Sequence, residues 1–301
     1  MKKIFAAILI AVLILTAFTG CGGGSSNTGG SQSGGSGDGF NENREITVVS
    51  RESGSGTRGA FVELTGVEVR DANGNVTDMT TIEAAIGNST NAIMTNVAGD
   101  TYAIGYISTG SMNDTVKAVN IDGIAPTAAN ILAGSYNIAR PFIIVTGEGL
   151  ESVAEDFINF IMSKEGQDIL GVSYIPIDSG APAFQSNGAS GTIVIGGSTS
   201  VSPVMERLRE AYLEINSGAV IEVHSTGSGA GITGAIDGVV DIGMSSRNIR
   251  DSELEQLDQS ITICMDGIAI VVNNDNPTTN LTIEQVREMF TGEKTRWAEV
   301  Q

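Results

Sequence analysis

A single histidine and two cysteines leave little from which to build a metal centre or a nucleophilic triad. With His224 alone and no clustered cysteine, a zinc site has no ligand set. A Ser-His-Asp arrangement would have to use His224, which sits in a strand pattern. Cys264 lies in an apolar strand pattern, where a free thiol packs as a small hydrophobe. The other cysteine, Cys21, follows an N-terminal apolar run, so no intrachain disulfide is expected in the mature chain. Cations are scarce as well. Sixteen Lys and Arg face 35 Asp and Glu, and the formal net charge of −19 argues against nucleic acid as a partner. Net charge governs long-range steering, however, and leaves open a buried local site for an anion. The apolar run at residues 4–18 is too short for a comfortable membrane span. No G-x-x-x-x-G-K-[ST] occurs, so a phosphate loop for nucleotide hydrolysis is not supported.

The chain starts Met1-Lys2-Lys3, and the apolar run ends in Phe18-Thr19-Gly20-Cys21. This resembles a bacterial lipoprotein signal, although Phe18 stands where that pattern prefers Leu. The resemblance implies a signal peptide over residues 1–20 and lipidation of Cys21, placing the protein on the extracytoplasmic face of the cell membrane. An ordinary signal peptide or a membrane anchor is the alternative. Residues 21–43 are rich in Gly and Ser and read as a flexible tether.

From residue 44 onward strand and helix patterns alternate. Strands are expected at 44–49, 102–107, 116–121, 140–146, 192–195, 220–223, 240–244 and 262–273, the last interrupted at Asp266-Gly267. Helices are expected from Thr57 to Leu64, and from Thr81 through Val97. Others are expected at 127–133, 150–163, 164–170, 203–215, 232–236, 253–257 and 282–290. In the 150–163 segment Val153, Phe157, Phe160 and Ile161 share one stripe. Thr282 and Gln285 are spaced as a capping box. Residues 178–190, rich in Gly, Ala, Ser and Pro, read as a linker. The alternation points to an α/β architecture with mostly parallel sheets.

Three strand-to-helix junctions combine glycine with hydroxyl residues: Arg51 to Thr57, Gly196 to Ser202, and Ser225 to Gly231. A glycine turn opening a helix presents free N–H groups to an anion, and Arg51 adds a planar set of donors. Each also reads as a plain capped helix start. Gly229 to Gly234 fits G-x-G-x-x-G, but Asp241 opens the next strand instead of closing it, against a dinucleotide site. The three loops offer hydroxyls, N–H groups and one Arg, with no evident general base. Such a set holds a tetrahedral oxyanion rather than transforming it, so the chain is not expected to be an enzyme and implies no cofactor.

The stretches 51–57, Gly197-Ser198-Thr199-Ser200, Gly227-Ser228-Gly229, Asp266-Gly267-Ile268-Ala269 and Ala103-Ile104-Gly105-Tyr106-Ile107 resemble the substrate-binding protein of bacterial ABC-type phosphate importers. The resemblance covers nearly all of residues 45–301. It implies a two-lobed type II periplasmic-binding-protein fold that closes over one phosphate and delivers it to ABC permease membrane subunits. It also implies a role for Arg51, Ser55, Gly56 and Thr57 from one lobe, and for Thr199, Ser200 and Ser228 from the other. The order is exchanged: residues 45–177 resemble the family's later half and 191–301 its earlier half. A circular permutation accounts for this, with 178–190 joining the old ends. A fragment of a tandem protein and a swapped dimer are the alternatives. On this mapping one lobe combines about 103–177 with 191–270, and the crossing strands lie near 268–273 and 98–103.

Selectivity is the point of departure. Where family members carry an Asp that pairs with the proton of phosphate, this chain has Ser246. Asp266 is the candidate replacement; the other reading is that it caps a turn or pairs with Arg247. Receptors for sulfate or molybdate, and a lipoprotein that keeps the fold without transport, are the competing functions.

Overall fold

The computed structural model describes residues 39–71 and 75–300. The expected signal peptide, Cys21 and most of the tether lie outside the described residues. The central sheet has ten strands. Its main strands are β1 (Thr47–Arg51), β2 (Ala85–Gly87), β3 (Ala103–Ser108), β4 (Ala139–Thr146), β5 (Gly191–Gly197), β6 (Ala219–Ser225), β7 (Ile242–Ser245) and β8 (Gln259–Asn273). They lie in the order β6-β5-β7-β4-β8-β3-β1-β2. The helices are α1 (Gly56–Thr65), α2 (Thr90–Ala98), α3 (Ser152–Ile161), α4 (Lys164–Leu170), α5 (Ser202–Ile215), α6 (Ser228–Ile236) and α7 (Ile283–Thr291), with two shorter ones at Ala128–Leu132 and Asp251–Leu254.

Parallel pairing is confined to the two wings, where β5 pairs with β6 and β7, and β1 pairs with β2 and β3. At the centre β4 and β8 run antiparallel to their neighbours, which corrects the expectation of a mostly parallel sheet. β8 is 15 residues long and serves both wings. Gln259 to Gly267 pair with β4, and Ile268 to Val272 pair with β3. Asp266-Gly267 therefore does not interrupt the strand; it marks where the strand changes partner.

This change of partner divides the sheet into two lobes, each with its own core. In the first, Phe142, Ile144, Ile193, Ile195 and Met244 pack against α3, α4 and α5. The α3 stripe of Val153, Phe157, Phe160 and Ile161 is buried there as its spacing demands. Burial of each such side chain contributes roughly 1.5–3 kcal/mol. In the second lobe Val48, Ile104, Tyr106, Ile268 and Ile270 meet Phe61, Met289 and Phe290 on one face. Val49, Ile107 and Ala269 meet Ile93 and Val97 on the other.

The crossing points are adjacent. Tyr136 and Ile138 belong to the second core, whereas Phe142 belongs to the first. The Ile268 N–H donates to the Ile138 carbonyl at 2.8 Å, and Gly267 is paired with Ala139. The chain passes between lobes at 138–139 and 267–268, not at 98–103. Residues 103–138 accordingly belong with β1, because β3 pairs with β1 in the same wing.

One local expectation also changes. Residues 81–97 do not form one helix: Ala85–Gly87 is a strand edge beside β1, and α2 starts at Thr90 with the Ser89 hydroxyl as cap. Residues 178–190 carry no regular structure but are pinned to the first lobe. Asp156, itself buried, accepts from Ser186 Oγ and Asn187 N, and the Phe184 N–H donates to Glu165. Residues 42–46 run beside 295–298, with Ile46 N donating to Thr295 O and Ala298 N to Glu42 O.

Candidate anion site between the lobes

β1 delivers Arg51 to the cleft, where it is 2% exposed. The turn that follows needs Gly54, whose φ is 86°. Ser55 then caps α1 by accepting from the Arg58 N–H at 3.3 Å. In the first lobe Gly197 has φ of 141°, and a Cβ there would lie 2.3 Å from the Met244 carbonyl, so only glycine lets the end of β5 close on β7. That closure brings Ser198 Oγ within 2.9 Å of Ser246 Oγ, and the Ser246 N–H donates to Ser228 Oγ at 3.1 Å.

The lobes meet through these loops. Thr57 Oγ1 and Ser200 Oγ are 2.9 Å apart, and Arg51 Nη2 donates to Thr199 Oγ1 at 3.1 Å. Thr90 Oγ1 lies 3.3 Å from Thr199 Oγ1 and 3.4 Å from Ser200 Oγ. The Gly229 N–H donates to the Gly54 carbonyl at 3.0 Å. A Cβ on Gly56 would stand 2.3 Å from Ser228 Oγ and 2.8 Å from Ser246 Oγ. The amino ends of α1, α2, α5 and α6 thus converge on one cluster of buried hydroxyls. Aligned peptide dipoles and unpaired N–H groups make such ends favourable for negative charge. Arg51 also holds Glu52 through a two-pronged pair, Nε to Oε2 at 2.7 Å and Nη2 to Oε1 at 2.8 Å.

Seven of the eight expected site residues are therefore brought together: Arg51, Ser55, Gly56, Thr57, Thr199, Ser200 and Ser228. The eighth, Asp266, is not hydrogen-bonded to any of them. Its Oδ2 accepts from Arg140 Nε and Nη2, and its Oδ1 accepts from Ser108 and Thr109. Both oxygens are occupied, which leaves neither for the proton of an anion. Burial pushes this carboxyl above its usual range, against the opposing pull of Arg140 and the two hydroxyls. The alternative pairing with Arg247 does not occur either, since Arg247 forks Glu253 at 2.7 and 2.8 Å. Sequence reasoning missed Thr90, although Ser89-Thr90 after Gly87-Asn88 carries an N-cap signal. It also missed Ser198 as a partner of Ser246, as well as Glu52 and Arg140.

The G-x-G-x-x-G stretch lies inside α6, not in a turn before it. A Cβ on Gly231 would stand 2.5 Å from the Gly196 carbonyl, so this glycine serves the packing of α6 on β5. A groove of about 550 Å³ adjoins the hydroxyl cluster and is lined by Thr90, Thr199, Ser202, Ser111 and Asn88 among others. A larger one, about 670 Å³, is lined by Glu148, Glu151, Asp237, Asp241, Glu255 and Asp258, whose charges repel an anion. Among the described residues no three His, Cys, Asp or Glu side chains converge as metal ligands, and no helix is long and apolar enough to cross a membrane.

Comparison with known proteins agrees with this geometry. Residues 4–165 and 182–301 match the model of the PBP superfamily domain. The phosphate-binding protein PstS 2 of Streptococcus agalactiae serotype V is 47% identical over 257 residues, covering 85% of this chain and 87% of the relative. PstS 2 of Streptococcus pneumoniae serotype 4 is 41% identical over 256 residues, with the same shares. The phosphate-binding protein PstS of Staphylococcus saprophyticus is 33% identical over 111 residues, 35% of each chain. The crystal structure of a phosphate-binding protein of a phosphate ABC transporter from Streptococcus pneumoniae TIGR4 is 41% identical, with a TM-score of 0.68, covering 86% of this chain and 100% of that one. With its two-lobed α/β fold and its cleft of hydroxyls and N–H groups, the chain belongs to the PBP superfamily, among the phosphate-binding proteins of ABC phosphate importers.

Proposed function

We propose that this chain is a solute-binding protein that captures inorganic phosphate between its lobes for import by an ABC transporter. The observation that carries the reading is the buried Arg51, bonded across the cleft to Thr199 Oγ1 at the edge of a hydroxyl cluster in which Thr57, Thr90, Thr199 and Ser200 meet from both lobes. Arg51 supplies charge-assisted hydrogen bonds, and the loop hydroxyls and N–H groups supply the rest. Such donors have partners on both sides of an anion only when the lobes meet, which ties capture to closure. The names of the streptococcal relatives support phosphate as the solute. Lipidation of Cys21 would tether the receptor to the extracytoplasmic face of the membrane, beside its permease.

The exchanged order of the halves belongs to the same reading. The juxtaposition of 42–46 with 295–298, and the confinement of 178–190 to one lobe, support a circular permutation that keeps one cleft per chain.

Isothermal titration of the chain from residue 22 with phosphate, with mass by light scattering, tests both points. One phosphate per monomer is expected, with no turnover of a generic phosphate ester. Absence of phosphate binding overturns the capture reading. Binding confined to a dimer overturns the single-cleft permutation.

A further inference from the structure

Arg140 is the second residue of β4, just after the chain crosses between the lobes, and it is 2% exposed. Its Nε and Nη2 are spent on Asp266 Oδ2, at 3.3 and 3.1 Å. Its Nη1 is buried and has no hydrogen-bond partner. A guanidinium N–H left unpaired in the interior is costly, so such a group needs a reason. Asp266 cannot supply a further acceptor, because Ser108 and Thr109 occupy its other oxygen.

The surroundings supply the reason. β4 is paired with β7, Ser245 opposite Ile143, so the strand end that leads into Ser246 lies beside the end that carries Arg140. Arg51 approaches from the second lobe, close enough that its charge adds to burial in holding the Arg140 pKa down. Arg51 spends Nε and Nη2 on Glu52 and Thr199, and none of its hydrogen bonds to described residues uses Nη1. Both guanidinium groups are buried and each is paired with one carboxylate, yet the buried Nη1 of Arg140 has no partner and no hydrogen bond to a described residue uses Nη1 of Arg51; an anion between them would engage both.

We propose that Arg140 is a second anion-binding guanidinium, presenting Nη1 to the same tetrahedral oxyanion that Arg51 holds from the opposite lobe. The proposal rests on the capture reading above. Asp266 then acts as a positioning residue: it fixes the fork and turns Nη1 toward the cleft.

The test is phosphate titration of the parent, of Asp266→Asn, of Arg140→Lys, and of the double variant Arg140→Gln with Asp266→Asn. The double variant removes both charges together, so no buried ion is left without a partner. Its phosphate affinity is expected to fall about 10- to 150-fold, the range for one lost hydrogen bond to a charged group. Its melting midpoint without phosphate should stay near that of the parent. Asp266→Asn, which keeps Arg140 but loses the charged half of its fork, and Arg140→Lys should each bind more weakly than the parent and more tightly than the double variant; parental affinity in Asp266→Asn overturns the positioning role of Asp266. Should the double variant not fold, Arg140→Lys decides: undiminished phosphate affinity overturns the proposal and a weakened one upholds it. Parental affinity in the double variant overturns the Arg140 role alone. A parent that binds no phosphate overturns the capture reading and this proposal with it.

Discussion

The hydroxyl oxygens of Thr57 and Ser200 lie 2.9 Å apart, although 143 residues separate them and they belong to opposite lobes. Neither lobe alone assembles this pair, so the bond exists only in the closed arrangement. Thr57→Val and Ser200→Ala should each weaken phosphate binding by about tenfold or more, as expected for a lost hydrogen bond to an anion. Both residues sit at helix starts and not within a core, so the melting midpoint should hardly move. Calorimetric titration of the two single variants and the double reports the coupling directly.

Gly56 separates binding from folding more sharply. In a helix interior alanine is favoured over glycine by roughly 0.5–1 kcal/mol, and at Gly56, the first residue of α1, part of that preference applies. Here the added Cβ would press on Ser228 Oγ at 2.3 Å, across the cleft. Gly56→Ala should therefore keep or raise the melting midpoint of the ligand-free protein while losing phosphate affinity. Small-angle scattering should show the parent contracting with phosphate and the variant failing to contract. A variant that both binds and contracts like the parent would remove steric closure as the role of Gly56.

The sequence showed the site wherever local chemistry encodes it. Gly54, Ser55 and Thr57 form a glycine turn and a capped helix start within a few residues, and the Thr282–Gln285 capping box formed as spaced. What pattern could not show is pairing across distance. Arg140 and Asp266 are 126 residues apart, and nothing in the composition of either strand announces that they neutralise each other. The same holds for the lobe crossing. In β8 the Asp266-Gly267 interruption did mark the change of partner, but an apolar strand reads alike whether its neighbour is β4 or β3, so pattern showed the place without its meaning. Three residues are too few to show a period of two, so the strand at Ala85–Gly87 reads as part of a helix.

The loop after Ser246 is braced by Arg247 and Glu253, and this brace should titrate. Burial alone would raise the Glu253 carboxyl, but the hydrogen bonds from Arg247 and from the Arg250 N–H outweigh it and hold the pKa below the usual range. A depressed folded-state pKa gives stability that is present above the unfolded value, near ~4.3, and lost as pH falls through the folded value. Glu253→Gln should thus be less stable than the parent at neutral pH, by roughly 1–2 kcal/mol. The two should converge as pH drops below ~4. Urea unfolding at neutral and acidic pH measures the gap; a constant difference across that range would remove the ionised pair as its cause.

Ser246 is the position at which the selectivity of the cleft can be tested. Its Oγ is shared with Ser198 and Ser228, at 2.9 and 3.4 Å, and a Cβ at Gly56 would come within 2.8 Å of it, so it borders the meeting point of the lobes. Phosphate keeps a proton near neutral pH, and sulfate does not. A serine hydroxyl can donate to either anion and carries no charge with which to reject the fully ionised one. Asp266, whose charge could have served, is committed to Arg140. The parent should accordingly distinguish phosphate from sulfate only modestly. Ser246→Asp should place an acceptor for the phosphate proton beside the hydroxyls and a like charge against sulfate, which specificity built on repulsion requires. Competition of the two anions in calorimetric titration should show discrimination rising by about 100-fold or more, the scale of a close like-charge contact that costs several kcal/mol. If Ser246→Asp binds phosphate yet tolerates sulfate as the parent does, the proton of phosphate is read elsewhere in the cleft, and Glu52, held against Arg51 at 2.7 Å, is the carboxylate left to examine.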